Sequence, residues 1–483
     1  MRNVRSWAGH LVPWLASLLL MASGLVHLGF SHPPSAAERC GIDLAALNAP
    51  SISGAPTMMT WGSGTLEDCW NSYLPWQAAQ RLKARTGRTI NVRPVALEAH
   101  VGVLDEEFMN AMRAGRAPDI SYVGHDIMFA AAQGGYIEPL DTCFSEHDLF
   151  RRFHPYFLNS VRRDGHVWGL PVDTSFEVLF FNKILLRKMG WAEADIAALP
   201  DQIASGRFLM SDLLATAKRA VQRGVVGPGF GFWPTSYPDW NVMTFYLSQG
   251  AQWESAKAFV LDKASLTGAL RIWRELFDAH LTLDAYQDMP RGTGLSVPRR
   301  DPLMSDQVLF WQDGVSQWGV WATNKVPQLG GTHYLDEHIG VALLPSAIAG
   351  KPGFIYSSGK PSVYVIPSTK ATGRPVDMAT ACAVLAEVAT PDIVLRTSIT
   401  HGSPSPLSGD EQFADRPDVQ YVRRVTAMLD RVADVPGSDD FARIKEGLIH
   451  AATLTTTGRT PEDIAEETAA WLTQVSSGRI VIR

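Results

Sequence analysis

The chain has 483 residues, roughly three times the size of a common single domain, which excludes one small core and predicts two or three lobes. Hydrophobic residues make up 46% and charged residues 19%, which excludes an intrinsically disordered chain. The net charge of −6 excludes a nucleic-acid binder that depends on bulk positive charge, so no nucleic acid is expected as a partner.

The N-terminus has the pattern of an export signal. Two arginines precede a stretch over residues 6–37 that contains no Asp, Glu, Lys or Arg and ends in small residues. We therefore predict a signal peptide over residues 1–37, cleaved near Ala37. The alternative is an uncleaved membrane anchor, because residues 14–30 are only slightly shorter than the roughly 20 residues that span a bilayer.

Predicted strands alternate with predicted helices in the first part of the chain. The strand-like runs are 56–61, 89–95 and 118–123, and the helical stretches are 66–86 and 103–113. This alternation predicts a parallel sheet with helices on both faces, and ligands bind such sheets beyond the carboxyl ends of the strands. At that edge lie the loop with Ser63 and Gly64 and the loop with His125 and Asp126.

A second lobe is predicted from about residue 171. Its middle part, over residues 210–281, is mostly helical, and strands are predicted within 308–321, 339–344 and 362–366. The last hundred or so residues have a helical pattern. Residues 290–302 are the most linker-like segment, although the same composition fits a surface loop.

The four cysteines are Cys40, Cys69, Cys143 and Cys382, and in an exported protein disulfides persist. Cys382 lies in an apolar helical stretch, which favours a buried thiol, so we expect any disulfide to join two of the other three. No Cys-x-x-Cys pair occurs and the 13 histidines are scattered, so the sequence predicts neither a metal site nor a cofactor.

Five motifs occur in an order that resembles a known family. They are Pro118–Asp126, Gly169–Lys183, Trp311–Trp321, Ile339–Pro345 and Thr460–Asp463. Together they resemble the sugar-binding group of ABC-importer solute-binding proteins, which includes maltodextrin-binding protein. The resemblance implies an α/β, two-lobed periplasmic-binding-protein fold, with a hinge crossed more than once and a ligand cleft between the lobes. On this basis lobe one is 54–170 plus 302–358, and lobe two is 171–301 plus 359–483.

Polar candidates for the cleft follow from the resemblance. A sugar needs carboxylate or amide groups for its hydroxyls and aromatic faces for its ring. His125 and Asp126 match the family's residues at the end of the third strand, although an Asp there can instead cap the next helix. Ser175 stands where the family carries a ligand carboxylate, and Asp173 either replaces that carboxylate or stabilises the hinge.

Aromatic candidates come from the 15 tryptophans, more than a core alone usually needs. Trp240 lies where relatives stack an aromatic ring on a sugar, and Trp233, in a nearby loop, is a second candidate platform; a loop Trp next to Pro can instead have a purely structural role. Trp318 and Trp321 are alternative matches to the family's cleft Trp. The loop of Tyr356, Ser358 and Gly359 resembles one that lets ligand approach backbone amides. The late aromatic residue of the relatives has no match here, which argues against a long maltodextrin.

The resemblance implies a periplasmic, monomeric receptor that binds a mono- to trisaccharide or a sugar derivative and delivers it to an ABC permease. It implies neither cofactor nor catalytic residue. One alternative is a hydrolase or transferase, because Ser357 and Lys360 fit the Ser-x-x-Lys motif of penicillin-binding enzymes, whose partner motifs the chain lacks. Another alternative is a sensory or docking protein with a degenerate cleft.

Overall fold

The computed structural model describes residues 44–63, 71–97, 101–234, 238–255, 258–283, 306–357, 361–409, 411–413, 419–433, 439–476 and 479–483. The expected signal peptide, Cys40 and Cys69 lie outside these residues. Leu44–Leu47 forms a short helix that precedes the body of the protein.

The first sheet, called sheet one here, is the parallel sheet that the sequence predicts. Thr57–Ser63 pairs in parallel with Asn91–Leu97 on one side and with Ile120–Val123 on the other. Two antiparallel strands then extend the sheet. The spatial order is Asn91–Leu97, Thr57–Ser63, Ile120–Val123, Ser362–Val365 and Leu170–Asp173.

The second sheet, called sheet two here, is built around Phe176–Asn182, in which every residue is buried. Phe310–Gly314 pairs with one edge of this strand, and Ile339–Ala342 and Ile355–Ser357 share the other edge. The short strands Phe232–Trp233 and Val432–Ala433 complete the sheet. Smaller pairings join Arg162–Arg163 with His166–Val167, and Glu254–Ser255 with Ala258–Leu261 and Ile480–Ile482.

Helices cover both sheets. Those around sheet one are Leu74–Thr86, Val101–Arg113, His125–Gln133, Asp141–Glu146, Pro155–Ser160, Thr369–Thr372 and Met378–Val388. Those around sheet two are Lys183–Lys188, Glu193–Ala204, Met210–Gln222, Pro238–Ser248, Lys263–Asp278, Gln317–Asn324, Thr332–His338, Asp439–Leu454 and Pro461–Val475. Two further helices, Pro391–His401 and Gln420–Thr426, lie between these groups in the chain.

Local sequence explains the helix ends. Leu74–Thr86 has a proline in its first turn, where no intrahelical partner for the amide is needed. It ends at Gly87, which adopts φ 74° and whose amide donates to the carbonyl of Lys83. Thr460 begins Pro461–Val475 by accepting from the amide of Asp463.

The strand pairings correct the expected division of the chain. Residues 302–358 are expected in lobe one, yet the strands at 310–314, 339–342 and 355–357 all belong to sheet two. Residues from 359 onward are expected in lobe two, yet Ser362–Val365 belongs to sheet one. The reason lies in the strand Phe176–Asn182, which is buried on both faces and therefore needs hydrogen-bonding partners on both edges. Distant segments of the chain supply these partners and so become part of sheet two.

The chain passes between the sheets more than once, as predicted. It leaves sheet one after Asp173 and enters sheet two at Phe176. It returns between Ser357 and Ser362, and reaches sheet two again at Val432–Ala433. The connections between the two sheets are therefore three chain segments that lie far apart in sequence.

A disulfide joins Cys143 to Cys382, which are 239 residues apart. The expectation that Cys382 carries a buried free thiol is therefore wrong. Its helix is apolar and buried, as the sequence indicates, but it packs against Asp141–Glu146 and brings the two Cα atoms to 4.9 Å. The disulfide attaches the late helix Met378–Val388 to the sheet-one side.

Within the described residues, no single helix has both the length and the hydropathy of a membrane span. Met378–Val388 and Pro391–His401 meet that test only when taken together, and the pair is bent by 59°.

We expect the double variant Cys143→Ser, Cys382→Ser to unfold at a lower temperature than the wild type. The disulfide closes a long loop and so restricts the conformations of the unfolded chain. Its removal stabilises the unfolded state and lowers the free energy of unfolding by about 2–4 kcal/mol. Thermal unfolding with and without reductant measures this. Reductant should lower the melting temperature of the wild type by more than that of the double variant, which still contains Cys40 and Cys69. Equal melting temperatures of both proteins in oxidising buffer would contradict the prediction.

Candidate functional site

The chain crossings bring hydroxyl groups together where the two sheets meet. Ser357, at the end of a sheet-two strand, donates from its hydroxyl to the carbonyl of Ser175 at 3.1 Å. The hydroxyl oxygens of Ser175 and Ser316 lie 3.5 Å apart, and both residues are half-buried. Polar hydrogen-bonding groups therefore lie where the chain crosses from sheet one into the first strand of sheet two.

Asp173 lies on the sheet-one side of the same crossing. The hydroxyl of Tyr122 donates toward both of its carboxylate oxygens, at 3.2 and 3.4 Å. Nδ1 of His401 lies 3.7 Å from the carboxylate, and the side chain of His401 is 6% exposed and that of Asp173 14%. Burial, and after it the charge of Asp173, raises the pKa of Tyr122 well above its ordinary value. Two roles are expected for Asp173, binding of the ligand and stabilisation of the hinge, and these contacts favour stabilisation of the hinge.

A buried polar cluster lies directly inside sheet two. Nε2 of Gln312 donates to Oε2 of Glu177 at 3.2 Å and to the hydroxyl oxygen of Tyr356 at 2.9 Å. Thr244 donates to the same hydroxyl oxygen at 2.8 Å. Sequence reasoning missed Glu177, although a charged residue in the otherwise apolar run Phe176–Phe181 is a signal that was present.

Four aromatic candidates are buried instead of open to a ligand. Trp233, Trp318, Trp321 and Tyr356 are each at most 1% exposed. Trp318 stacks on Tyr421 with ring centroids 4.2 Å apart, so protein covers the face that a sugar would need. The expectation that Trp233, and either Trp318 or Trp321, form sugar platforms is not met in this structure. Tyr356 is expected only as part of a loop that lets ligand approach backbone amides, and its ring lies in the core.

The error at Trp318 and Trp321 has a local cause. The sequence pattern predicts a strand through both, but the strand ends at Gly314 and the helix Gln317–Asn324 follows. Residues three apart lie on one face of a helix, so both indoles point into the protein. There Trp321 packs on Phe180 with centroids 5.0 Å apart.

His125 has a structural role. It begins the helix His125–Gln133, is 7% exposed, and its Nε2 lies 2.6 Å from the carbonyl oxygen of Ser160. Its ring packs edge-to-face on Phe129. In this structure the side chain of His125 therefore connects two helices, and its role in ligand binding stays a prediction.

The other candidates fall outside the described residues. Gly64, Ser358 and Gly359 are among them, as are the side chains of Ser63, Asp126 and Trp240. Their backbones, where described, begin or end elements: Ser63 ends a strand, Asp126 is in the first turn of its helix, and Trp240 is near the start of Pro238–Ser248. The alternative nucleophile Ser357 is 5% exposed, and its hydroxyl holds the crossing segment.

Two glycines form a tight contact, called the joint here, between the helix Gln317–Asn324 and the end of the helix Pro391–His401. A Cβ on Gly319 would overlap the carbonyl oxygen of Thr400 and lie 2.8 Å from the carbonyl carbon of His401. Gly402 adopts φ 63°, and a Cβ there would lie 2.7 Å from the amide nitrogen of Gly319. The other end of the helix Pro391–His401 is tied to the sheet-one side, where Asp392 pairs with Arg81 at 2.9 Å. This helix therefore connects the two sides.

Gly319→Ala should lower the free energy of unfolding by about 1–3 kcal/mol, because the added methyl has no room at the joint. Gly227→Ala is the matched control, since the nearest atom to a Cβ there is 3.7 Å away. Denaturant unfolding of the three proteins tests this. Equal stability of Gly319→Ala and the control would contradict this prediction, because it would mean that the neighbouring backbone accommodates the methyl group without a loss of stability.

The sequence matches the model of a family described as bacterial extracellular solute-binding protein over residues 76–392. A binding protein of Brucella abortus (strain 2308) is 31% identical over 104 residues, which is 22% of this chain and 24% of that protein. The maltotriose-binding protein of Pyrococcus abyssi is 29% identical over 80 residues, 17% of each chain. The chain thus matches about a quarter or less of the length of these curated relatives.

Solved structures are similar over far more of the chain. The GacH receptor of Streptomyces glaucescens superposes with a TM-score of 0.61 at 17% identity, covering 87% of this chain and 98% of that one. The sugar-binding protein MalE of Xanthomonas citri gives a TM-score of 0.63 at 16% identity, covering 88% and 98%. These similarities confirm the predicted two-lobed fold.

Proposed function

The chain belongs to the family of bacterial extracellular solute-binding proteins, and we propose that it is an exported receptor for a carbohydrate. It is a binding protein and not an enzyme, in keeping with its family and its structural neighbours. The observation that carries the proposal is the hydroxyl-lined crossing between two sheets, formed by Ser175, Ser316 and Ser357. Hydroxyl groups both donate and accept, as the recognition of a polyhydroxylated ligand requires.

The names of related proteins support a sugar as the ligand. The Pyrococcus relative is a maltotriose-binding protein, and the Streptomyces receptor was solved in complex with acarbose. For this chain we propose a mono- to trisaccharide or a sugar derivative, because the late aromatic residue that would extend the site for a long maltodextrin has no match in the sequence. We further propose that the receptor works in the periplasm and delivers its ligand to an ABC permease.

The mechanism that we propose is a shift between open and closed forms. A solute that contacts both sides of the crossing binds the closed form more tightly and therefore increases its population. The three connecting segments limit the movement of one side relative to the other. A membrane permease then recognises the closed form.

A thermal-shift screen over neutral saccharides and their phosphorylated derivatives tests the proposed function. A ligand at a hundred times its dissociation constant adds about 2.7 kcal/mol to the free energy of unfolding. We expect at least one mono- to trisaccharide to raise the melting temperature and to be recovered chemically unchanged after prolonged incubation. A screen with no shift would contradict the proposal, and accumulation of product would indicate an enzyme.

Asp126→Ala and Trp240→Ala should each weaken saccharide binding at least about tenfold, which is about 1.4 kcal/mol. A lost charged acceptor and a lost stacking face each cost energies of this order. Calorimetric affinity and apo melting temperature are measured together. Trp318→Ala is the matched control: removal of this core indole should lower stability by about 3–5 kcal/mol. Unchanged affinity with a large fall in melting temperature for Trp240→Ala would contradict its role as a platform.

A further inference from the structure

We propose that Thr244 and Tyr356 position the start of the helix Pro238–Ser248, and with it Trp240, for contact with the ligand; this rests on the proposed carbohydrate-binding function. Trp240 is in the first turn of that helix, four residues before Thr244. Positions four residues apart lie on the same face of a helix, one turn above the other. A contact that fixes Thr244 therefore also fixes the direction in which position 240 faces.

The helix Pro238–Ser248 is buried on all sides. Residues 242–248 span about two turns, and each of them is at most 8% exposed. The helix packs against the helices Lys263–Asp278 and Asp439–Leu454. An apolar stripe turns an amphipathic helix towards the core, but a helix that is buried all round has no such stripe. Burial of apolar surface alone therefore favours no particular rotation of this helix about its axis.

Thr244 connects this helix to sheet two by a directional contact. Its hydroxyl donates to the hydroxyl oxygen of Tyr356 at 2.8 Å, and Nε2 of Gln312 donates to the same oxygen at 2.9 Å. All three residues are fully buried. A hydrogen bond allows only a narrow range of distances and angles, and one buried polar contact can select a single register among several apolar packings. Thr244 thus fixes the rotation of the helix relative to sheet two.

Sheet two itself holds the partner of Thr244. Tyr356 pairs with Glu177 on one edge of the central strand Phe176–Asn182, and Gln312 pairs with Leu179 on the opposite edge. The bond from Gln312 to Tyr356 therefore reaches across the central strand. Groups that are supported by paired strands keep a precise position, so the hydroxyl of Tyr356 is a fixed reference point for the helix.

The strand Ile355–Ser357 relates this helix to the crossing. Ser357 follows Tyr356 directly, and its hydroxyl donates to the carbonyl of Ser175 at 3.1 Å. Neighbouring side chains of a strand point to opposite faces, so Tyr356 contacts the helix while Ser357 contacts the crossing segment. The strand therefore sets the position of the helix that carries Trp240 relative to the hydroxyl groups at the crossing. A ligand that contacts both parts depends on this spacing.

The test uses Thr244→Val, which keeps the shape of the side chain and removes its hydroxyl group, and Thr244→Ser, which keeps the hydroxyl group. The probes are the neutral and phosphorylated mono- to trisaccharides of the thermal-shift screen, maltose and maltotriose among them, measured by calorimetry beside apo melting temperature. We expect Thr244→Val to weaken binding of the tightest-binding saccharide about fivefold. Tyr356→Phe should weaken it at least as much, and Thr244→Ser should restore the affinity of the wild type.

The same substitution in a Trp240→Ala background separates positioning from stability. Because Thr244 acts through Trp240, Thr244→Val should cause no further loss of affinity once the indole is absent. The lost hydrogen bond should still lower the melting temperature in both backgrounds, because it belongs to the fold. An equal loss of affinity in both backgrounds would overturn the positioning role.

Thr468→Val is the matched control. Thr468 is fully buried, as Thr244 is, but its hydroxyl donates at 2.8 Å to the carbonyl of Ile464 in its own helix. This variant should bind saccharide with the affinity of the wild type. Saccharide binding by the wild type with unchanged affinity in Thr244→Val would overturn this inference and leave the proposed function in place. No saccharide binding by the wild type would overturn the proposed function and this inference with it.

Discussion

Phe176–Asn182 is buried on both faces, so its backbone amides and carbonyls must all be bonded within the protein. Three strands from residues 310–357 meet this requirement, one along one edge and two along the other. In the sequence, these strands follow a long helical stretch. The chain therefore leaves sheet one before that stretch and rejoins it only at Ser362–Val365, after the three strands have been added to sheet two. The return of the chain to sheet one after residue 357 thus follows once the partners of this one strand are in place.

The same constraint positions the candidate site. The first residues of the central strand are adjacent to the crossing, so Ser175 and Glu177 are fixed by the pairing of Gly314 and Tyr356 with Glu177. The neighbouring hydroxyl of Ser357 is held against the crossing segment. Ser357 is part of a paired strand, and Ser175 and Ser316 lie within two residues of paired strands, so the pairing of sheet two also limits where these hydroxyl groups can lie.

Local patterns in the sequence are sufficient to predict part of this structure. The alternation of strands and helices over residues 56–123 predicts sheet one because parallel neighbours need a helical crossover between them. The same local reasoning fails where distant segments decide the result. Nothing near Cys382 indicates Cys143 as its partner, and nothing near residues 310–314 indicates that they pair with Phe176–Asn182 instead of joining sheet one. The high tryptophan content predicts a binding surface, but helical spacing places Trp318 and Trp321 in the core.

Asp173 and Glu177 show how two carboxylates near one crossing acquire different roles. Asp173 is bonded to Tyr122 and faces His401, groups that keep its position fixed on the sheet-one side. Glu177 is buried within sheet two, where its Oε2 accepts from the side-chain amide of Gln312. A ligand changes the balance between two forms only by the difference in its affinity for them. Contacts that a ligand makes with one side alone are the same in both forms, whereas a ligand that also reaches groups on the opposite side binds the closed form more tightly.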